Sequence, residues 1–125
     1  MKLLAFETAT EACSVALYID GEIFERFEIA PKQHTQLALP WAEQLLAEAG
    51  IKKSQLDAIA VGIGPGAFTG VRLAVALVQG IALALDKPVI PISTLAALAM
   101  QGADLECERI IAAIDARMGE IYCAQ

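Results

Sequence analysis

The sequence predicts an α/β fold, a single mixed sheet in which an antiparallel meander precedes two strand–helix crossover units. Two patterns carry that expectation. Near the start, two strand-like runs flank Asp20-Gly21, a two-residue turn whose positions both tolerate positive φ. Further on, the short apolar runs Ala58–Val61 and Val89–Ile92 are each followed by a helical segment, which is how buried parallel strands joined by right-handed crossovers read.

Taken in order, Lys2–Phe6 is the first strand and Cys13–Ile19 the second. The second alternates Val15, Leu17 and Ile19 with Ser14, Ala16 and Tyr18 on its other face. Glu22–Ile29 returns as the third. After Pro31, Thr35 is positioned to cap a helix running to about Ala49, with Leu37, Trp41 and Leu45 at i, i+4, i+8 and Gly50 at its end. Pro40 belongs near the first turn, where proline costs least. Ala58–Val61 feeds the loop Gly62-Ile63-Gly64-Pro65-Gly66-Ala67-Phe68-Thr69-Gly70, and Thr69 caps a helix from about Val71 to Leu85. Lys87-Pro88 ends that helix, Val89–Ile92 is the next strand, and Ser93 caps a helix through about Met100.

Arg109–Asp115, the turn Ala116-Arg117-Met118-Gly119 and Glu120–Gln125 read as a closing hairpin. Its first strand, Ile111-Ala112-Ala113-Ile114-Asp115, resembles Leu3-Leu4-Ala5-Phe6-Glu7: apolar residues ending in an acid, then a small-residue turn and another strand. Read as a repeat, this divides the chain into one lobe at 1–105 and the first hairpin of a truncated second lobe at 106–125. The other reading is chance likeness between two short strands.

The 125 residues are 57% hydrophobic but only 6% aromatic, with 15 acidic against 9 basic side chains and a formal charge of −6. That length allows one ordinary domain or less. A mean hydropathy of +0.56 invites a membrane reading, which needs roughly 18 consecutive apolar residues. No run qualifies: Leu73–Leu85 is closed by Arg72 and Asp86, and Pro88–Ala103 carries Pro91, Ser93, Thr94, Gln101 and Gly102. The apolar stretch before Glu7 is too short for a secretory signal, so a cytoplasmic protein is expected. Cys13, Cys107 and Cys123 form no Cys-x-x-Cys pair, which predicts neither a disulfide framework nor a zinc site. The acidic balance lacks the basic footprint of independent nucleic-acid binding.

The Gly64–Gly70 loop joins a buried strand to a helix N-terminus, where free amides and the helix dipole favour an anion. Gly64, Gly66, Thr69, Gly70 and Arg72 are the candidate residues. No Gly-Lys-Ser/Thr follows, so it is no Walker loop. Gly62-x-Gly64-x-x-Ala67 matches the dinucleotide fingerprint in form, yet the expected helix start lies too far downstream. Val71–Leu85 has only Arg72 and Gln79 as polar residues and carries the smooth stripe Ala76, Gly80, Ala84. Neighbouring helices or a second subunit must therefore cover it. The sole histidine, His34, has none at i+4, which excludes a His-x-x-x-His metal pair and leaves a capping or surface role. Glu7, Glu11, Asp115 and Glu120 can line a cleft, or simply be solvated strand-end acids. No catalytic residue and no metal ligand set emerges.

At this loop the chain closely resembles a known family. Gly64-Pro65-Gly66-Ala67-Phe68-Thr69-Gly70-Val71-Arg72 resembles the Gly-Pro-Gly-Ser-Phe-Thr-Gly-x-Arg signature of the bacterial TsaB (YeaZ) family. Glu7–Ala16, His34-Thr35-Gln36 with Leu39-Pro40, and Ile114–Tyr122 resemble its other blocks in collinear order. The resemblance implies an actin, Hsp70 and sugar-kinase type (ribonuclease H-like) fold of two duplicated lobes, in chains nearly twice as long. It implies an accessory, noncatalytic subunit that binds and activates the transferase TsaD in threonylcarbamoylation of the adenosine next to the anticodon in tRNAs. The ATPase TsaE joins the assembly, TsaC supplies the threonylcarbamoyl-adenylate, and the subunit forms a homodimer when alone. Contact with tRNA is indirect. No cofactor is held tightly; weak ATP or ADP with magnesium in the assembled complex is the expectation. The family's first two long helices pair with the partner's in a four-helix bundle, for which Leu37, Trp41, Leu45, Leu73, Leu77 and Ile81 are the candidates.

TsaD-like chains place a metal-binding His-x-x-x-His after a strand preceded by Lys-Pro. Counted from Lys87-Pro88, the equivalent positions are Thr94 and Leu98, neither of which replaces an imidazole. Glu7 stands where Asp is usual and Ala67 where Ser is common, and both weaken phosphate binding. The competing expectations are an independent nucleotide-binding ATPase or phosphotransferase and, disfavoured by the lack of a histidine pair, a metalloprotease.

Overall fold

A computed structural model describes residues 1–9, 12–29, 34–66, 68–100, 112–117 and 120–124. Glu11, Ala67 and Cys107 lie outside the described residues. The elements are β1 (Lys2–Glu7), β2 (Ala12–Ile19), β3 (Glu22–Ile29), α1 (His34–Ala49), β4 (Ala58–Gly62), α2 (Phe68–Leu85), β5 (Val89–Ile92), α3 (Thr94–Met100), β6 (Ala112–Arg117) and β7 (Glu120–Ala124). A short 3-10 turn at Lys53–Gln55, unforeseen in the sequence, leads from α1 to β4.

Five strands form one mixed sheet in the order β3-β2-β1-β4-β5. β1, β2 and β3 are antiparallel, while β4 and β5 run parallel to β1 through the α1 and α2 crossovers. The expected Asp20-Gly21 turn closes the first hairpin with both residues at positive φ, 47° and 99°, which matches the right-handed twist of the flanking strands. β6 and β7 pair separately as a hairpin beside α3.

One face of the sheet carries the core. Leu4 and Phe6 of β1 stand opposite Leu17 and Val15 of β2 and are joined on β4 by Ile59 and Val61. α1 covers this layer with Ala38, Ala42, Leu45 and Leu46, and α2 with Ala74, Val78 and Ala82. Each of the large side chains sealed here contributes roughly 1.5–3 kcal/mol. β4 is buried along its whole length, as its unbroken apolar run requires. On the other face, at the β3 edge, Tyr18, Ile23, Phe27 and Ile29 are exposed.

Of the three expected caps, Ser93 and Thr69 have described side chains. Ser93 caps α3 as expected, its Oγ accepting from the Ala96 N–H at 3.3 Å. Thr69 does not do the same, and the Thr35 side chain lies outside the described residues. α1 begins at His34, so Thr35 lies within it, and Pro40 falls beyond its first turn. α2 begins at Phe68, which puts Thr69 inside the first turn. The chain reverses within Gly64–Gly66, with Gly64 at φ +91°, and the helix starts correspondingly earlier than its apolar pattern indicated. α2 is also not covered all round: Arg72, Ala76, Gln79, Gly80, Leu83 and Ala84 face outward, and Leu83 is 85% exposed. Among the described residues no helix is long and apolar enough to cross a membrane.

Candidate functional site

β1, β4 and β5 run parallel, so their carboxyl ends deliver Glu7, Gly62 and Ile92 to one edge of the sheet. In open α/β sheets this is the edge at which ligands gather. The loops that leave it are the Thr8–Ala9 segment, the glycine loop and the Ser93 start of α3.

Glu7 is the centre of the constellation. Its carboxylate lies against the Gly62 α-carbon, in space that any side chain at residue 62 would occupy. It accepts from the Ala9 N–H at 3.1 Å and from the Thr94 hydroxyl, 3.2 and 3.3 Å from its two oxygens. Thr94 Oγ1 in turn accepts from the Gly64 N–H at 3.1 Å, while the Thr94 N–H donates to the Gly64 carbonyl at 2.9 Å. The Ile63 N–H donates to the Ile92 carbonyl at 2.9 Å. Thr94 is thus buried with its hydroxyl both donating and accepting, so that it ties β1, the glycine loop and α3 together. Burial pushes the Glu7 carboxyl above its ordinary range, opposed by the bonds from Ala9 and Thr94.

A second tie closes the other end of the loop. The buried Thr8 hydroxyl donates to the Gly70 carbonyl at 2.6 Å. The Thr8 carbonyl oxygen sits against the α-carbon of Gly70, and the Ala9 carbonyl against that of Gly66. A Cβ at either glycine would overlap backbone, which no rotamer change can relieve.

Of the loop candidates, Gly64, Gly66 and Gly70 thus meet at one joint, whereas Thr69 and Arg72 are exposed at the start of α2. Of the helix candidates, Leu37, Trp41, Leu77 and Ile81 are half-buried against the core, Leu73 on α2 is half-buried, and Leu45 is wholly buried. In the sequence Thr94 stands out only as a position lacking an imidazole. Its polar position just past an apolar strand was the available signal for the tie. Cys13 is a free, buried thiol, pushed up by burial and then by Glu28. Among the described residues no group of three or more His, Cys, Asp or Glu could hold a metal ion.

Residues 27–125 match the family model described as TsaD: tRNA N6-adenosine threonylcarbamoyltransferase. The chain is 48% identical over 127 residues to the tRNA threonylcarbamoyladenosine biosynthesis protein TsaB of Escherichia coli, an alignment covering 100% of this chain and 54% of the relative. It is likewise 48% identical over 126 residues to TsaB of Haemophilus influenzae, covering 100% of the chain and 53% of the relative. The solved structure of YeaZ from Pseudomonas aeruginosa superposes with a TM-score of 0.92 at 52% identity, over 99% of this chain and 60% of that one. The chain belongs to this family, within its TsaB (YeaZ) group. It spans about half the length of the curated TsaB relatives it matches. The Gly64–Arg72 stretch, which resembles the TsaB signature, contains the two glycines, Gly66 and Gly70, that close on Ala9 and Thr8.

Proposed function

We propose that the chain serves as the noncatalytic partner that binds and activates a TsaD-type transferase during threonylcarbamoylation of the adenosine next to the anticodon in tRNAs. The observation that carries this reading is 48% identity to two TsaB proteins along the entire chain. The chemistry of the strand ends supports it: the Thr94 and Thr8 hydroxyls are engaged in internal ties, and the Glu7 carboxylate is held by the first of them. The fold belongs with the actin-like class, whose duplicated lobes explain the β6–β7 hairpin as the opening of a second unit at 106–125. Leu83 on α2, 85% exposed, supports partner contact through α1 and α2. Leu37, Trp41, Leu73, Leu77 and Ile81, each half-buried, are the proposed contact residues, while Leu45 lies in the core. When TsaD is absent, a second copy takes its place. A TsaE-type ATPase joins the cytoplasmic assembly, and with a formal charge of −6 this subunit leaves most of the tRNA grip to the others.

The test is reconstitution of full-length protein with TsaD, TsaE, TsaC and unmodified tRNA. Modified adenosine is expected only when this subunit is present and co-purifies with TsaD. Equal modification without it would defeat the proposal.

A further inference from the structure

The family resemblance brings an expectation of weakly held adenine nucleotide with magnesium, and the Gly64–Gly70 loop is where the sequence would seat its phosphates. The residues there do not fit an anion. A phosphate-binding glycine loop offers free amides to the ligand, and its glycines let the backbone approach the phosphate. Here the close approach is taken by the chain itself: the Thr8 and Ala9 carbonyl oxygens lie against Gly70 and Gly66. These two oxygens are acceptors, so a phosphate brought to the same place would meet negative partial charge. The Gly64 amide is committed to Thr94 Oγ1, and the Ile63 amide to the Ile92 carbonyl. The Thr8 hydroxyl, a natural phosphate donor, is committed to Gly70. Magnesium fares no better, since Glu7 already faces inward onto Thr94 and Ala9.

We infer that the Thr8–Ala9 segment is an internal plug: it fills the glycine loop in place of a phosphate, and the Glu7–Thr94–Gly64 chain of hydrogen bonds latches it shut. The Gly-Pro-Gly-x-Phe-Thr-Gly pattern here is a packing motif. Any nucleotide the protein meets is bound elsewhere.

The test follows backbone amides of the full-length protein by NMR during titration with magnesium-ATP and, separately, inorganic phosphate. The Gly64, Gly66 and Gly70 amides are expected to stay in place through millimolar concentrations of both. Saturable shifts confined to these amides would overturn the inference. The latch is tested by Thr94→Val, which keeps the shape and deletes the hydroxyl. Amide exchange at Ala9 and Gly64 should become at least about tenfold faster, because the variant removes both the bond Thr94 donates to Glu7 and the one it accepts from Gly64, with Thr94→Ser restoring the native rate. Unchanged exchange in a folded Thr94→Val protein would show that no latch exists. If that variant does not fold, Glu7→Ala, which removes the acceptor of the Ala9 and Thr94 bonds, replaces it: at least about tenfold faster exchange at Ala9 supports the latch, and native exchange there refutes it.

Discussion

Two glycines of α2 have opposite reasons for being glycine. At Gly70 an added Cβ would overlap the Thr8 carbonyl, whereas at Gly80 nothing lies within 4 Å of one. Gly70→Ala should therefore destabilise the fold by about 1–3 kcal/mol through overpacking. Gly80→Ala should stabilise the isolated chain by about 0.5–1 kcal/mol, because helical glycine loses more backbone entropy than alanine. Denaturant midpoints of the two variants check both signs. Glu7 makes a separate prediction. Its folded-state pKa is raised by burial, so its contribution to stability is fully present below the ordinary carboxylate pKa and is lost as pH rises through the raised value. Glu7→Gln keeps an acceptor for Ala9 and Thr94 but cannot ionise. It should flatten the stability profile across the mildly acid range and equal or exceed the native protein at neutral pH. A Glu7→Gln profile that still falls with the native slope would assign the titration to another group.

At the scale of elements, local chemistry was readable where one residue type has one use. Asp20-Gly21 had to be a tight hairpin turn, the unbroken apolar run of β4 had to be a doubly covered strand, and Ser93 is bonded to Ala96 as a cap should be. Ser93→Ala should cost about 0.5–2 kcal/mol, read as faster amide exchange in α3 with little change in α1 or α2. Equal loss in all three helices would mean that α3 has no independent cap. The start of α2 differs from the expected cap at Thr69 because threonine caps a helix only when the preceding chain has not already turned. Gly64–Gly66 completes the turn early, so Phe68 opens α2. The site was legible only in part, for a related reason. A glycine pattern shows that something comes close to the backbone, and it does not say whether a ligand or the chain's own carbonyl is what comes. The Thr94 tie depends on β1 lying beside β4 and β4 beside β5, an adjacency that spacing along the chain does not encode.

For the whole molecule, the division of α2 decides how the subunit can associate. Ala74, Val78 and Ala82 seal its inner stripe, and Leu77 and Ile81 lean on the same core from the side. Leu83 points away, 85% exposed, and Gly80 beside it offers room for a second helix to approach closely. Burial of one leucine side chain is worth roughly 1.5–3 kcal/mol, which corresponds to about a tenfold to hundredfold change in dissociation constant. Leu83→Glu should therefore leave the melting temperature of the isolated chain unchanged while weakening the proposed association with a TsaD-type partner, or with a second copy, by at least that factor. Leu77→Glu places a charge against the core and should lower stability and association together. The pair separates surface from support: a Leu83→Glu protein that still binds at native affinity, measured by sedimentation or calorimetry, would move the partner's footprint off the outer stripe of α2. If it loses binding while folded, the smooth apolar character of this helix is explained by contact between subunits, and the composition that first resembled a membrane segment is the signature of an interface.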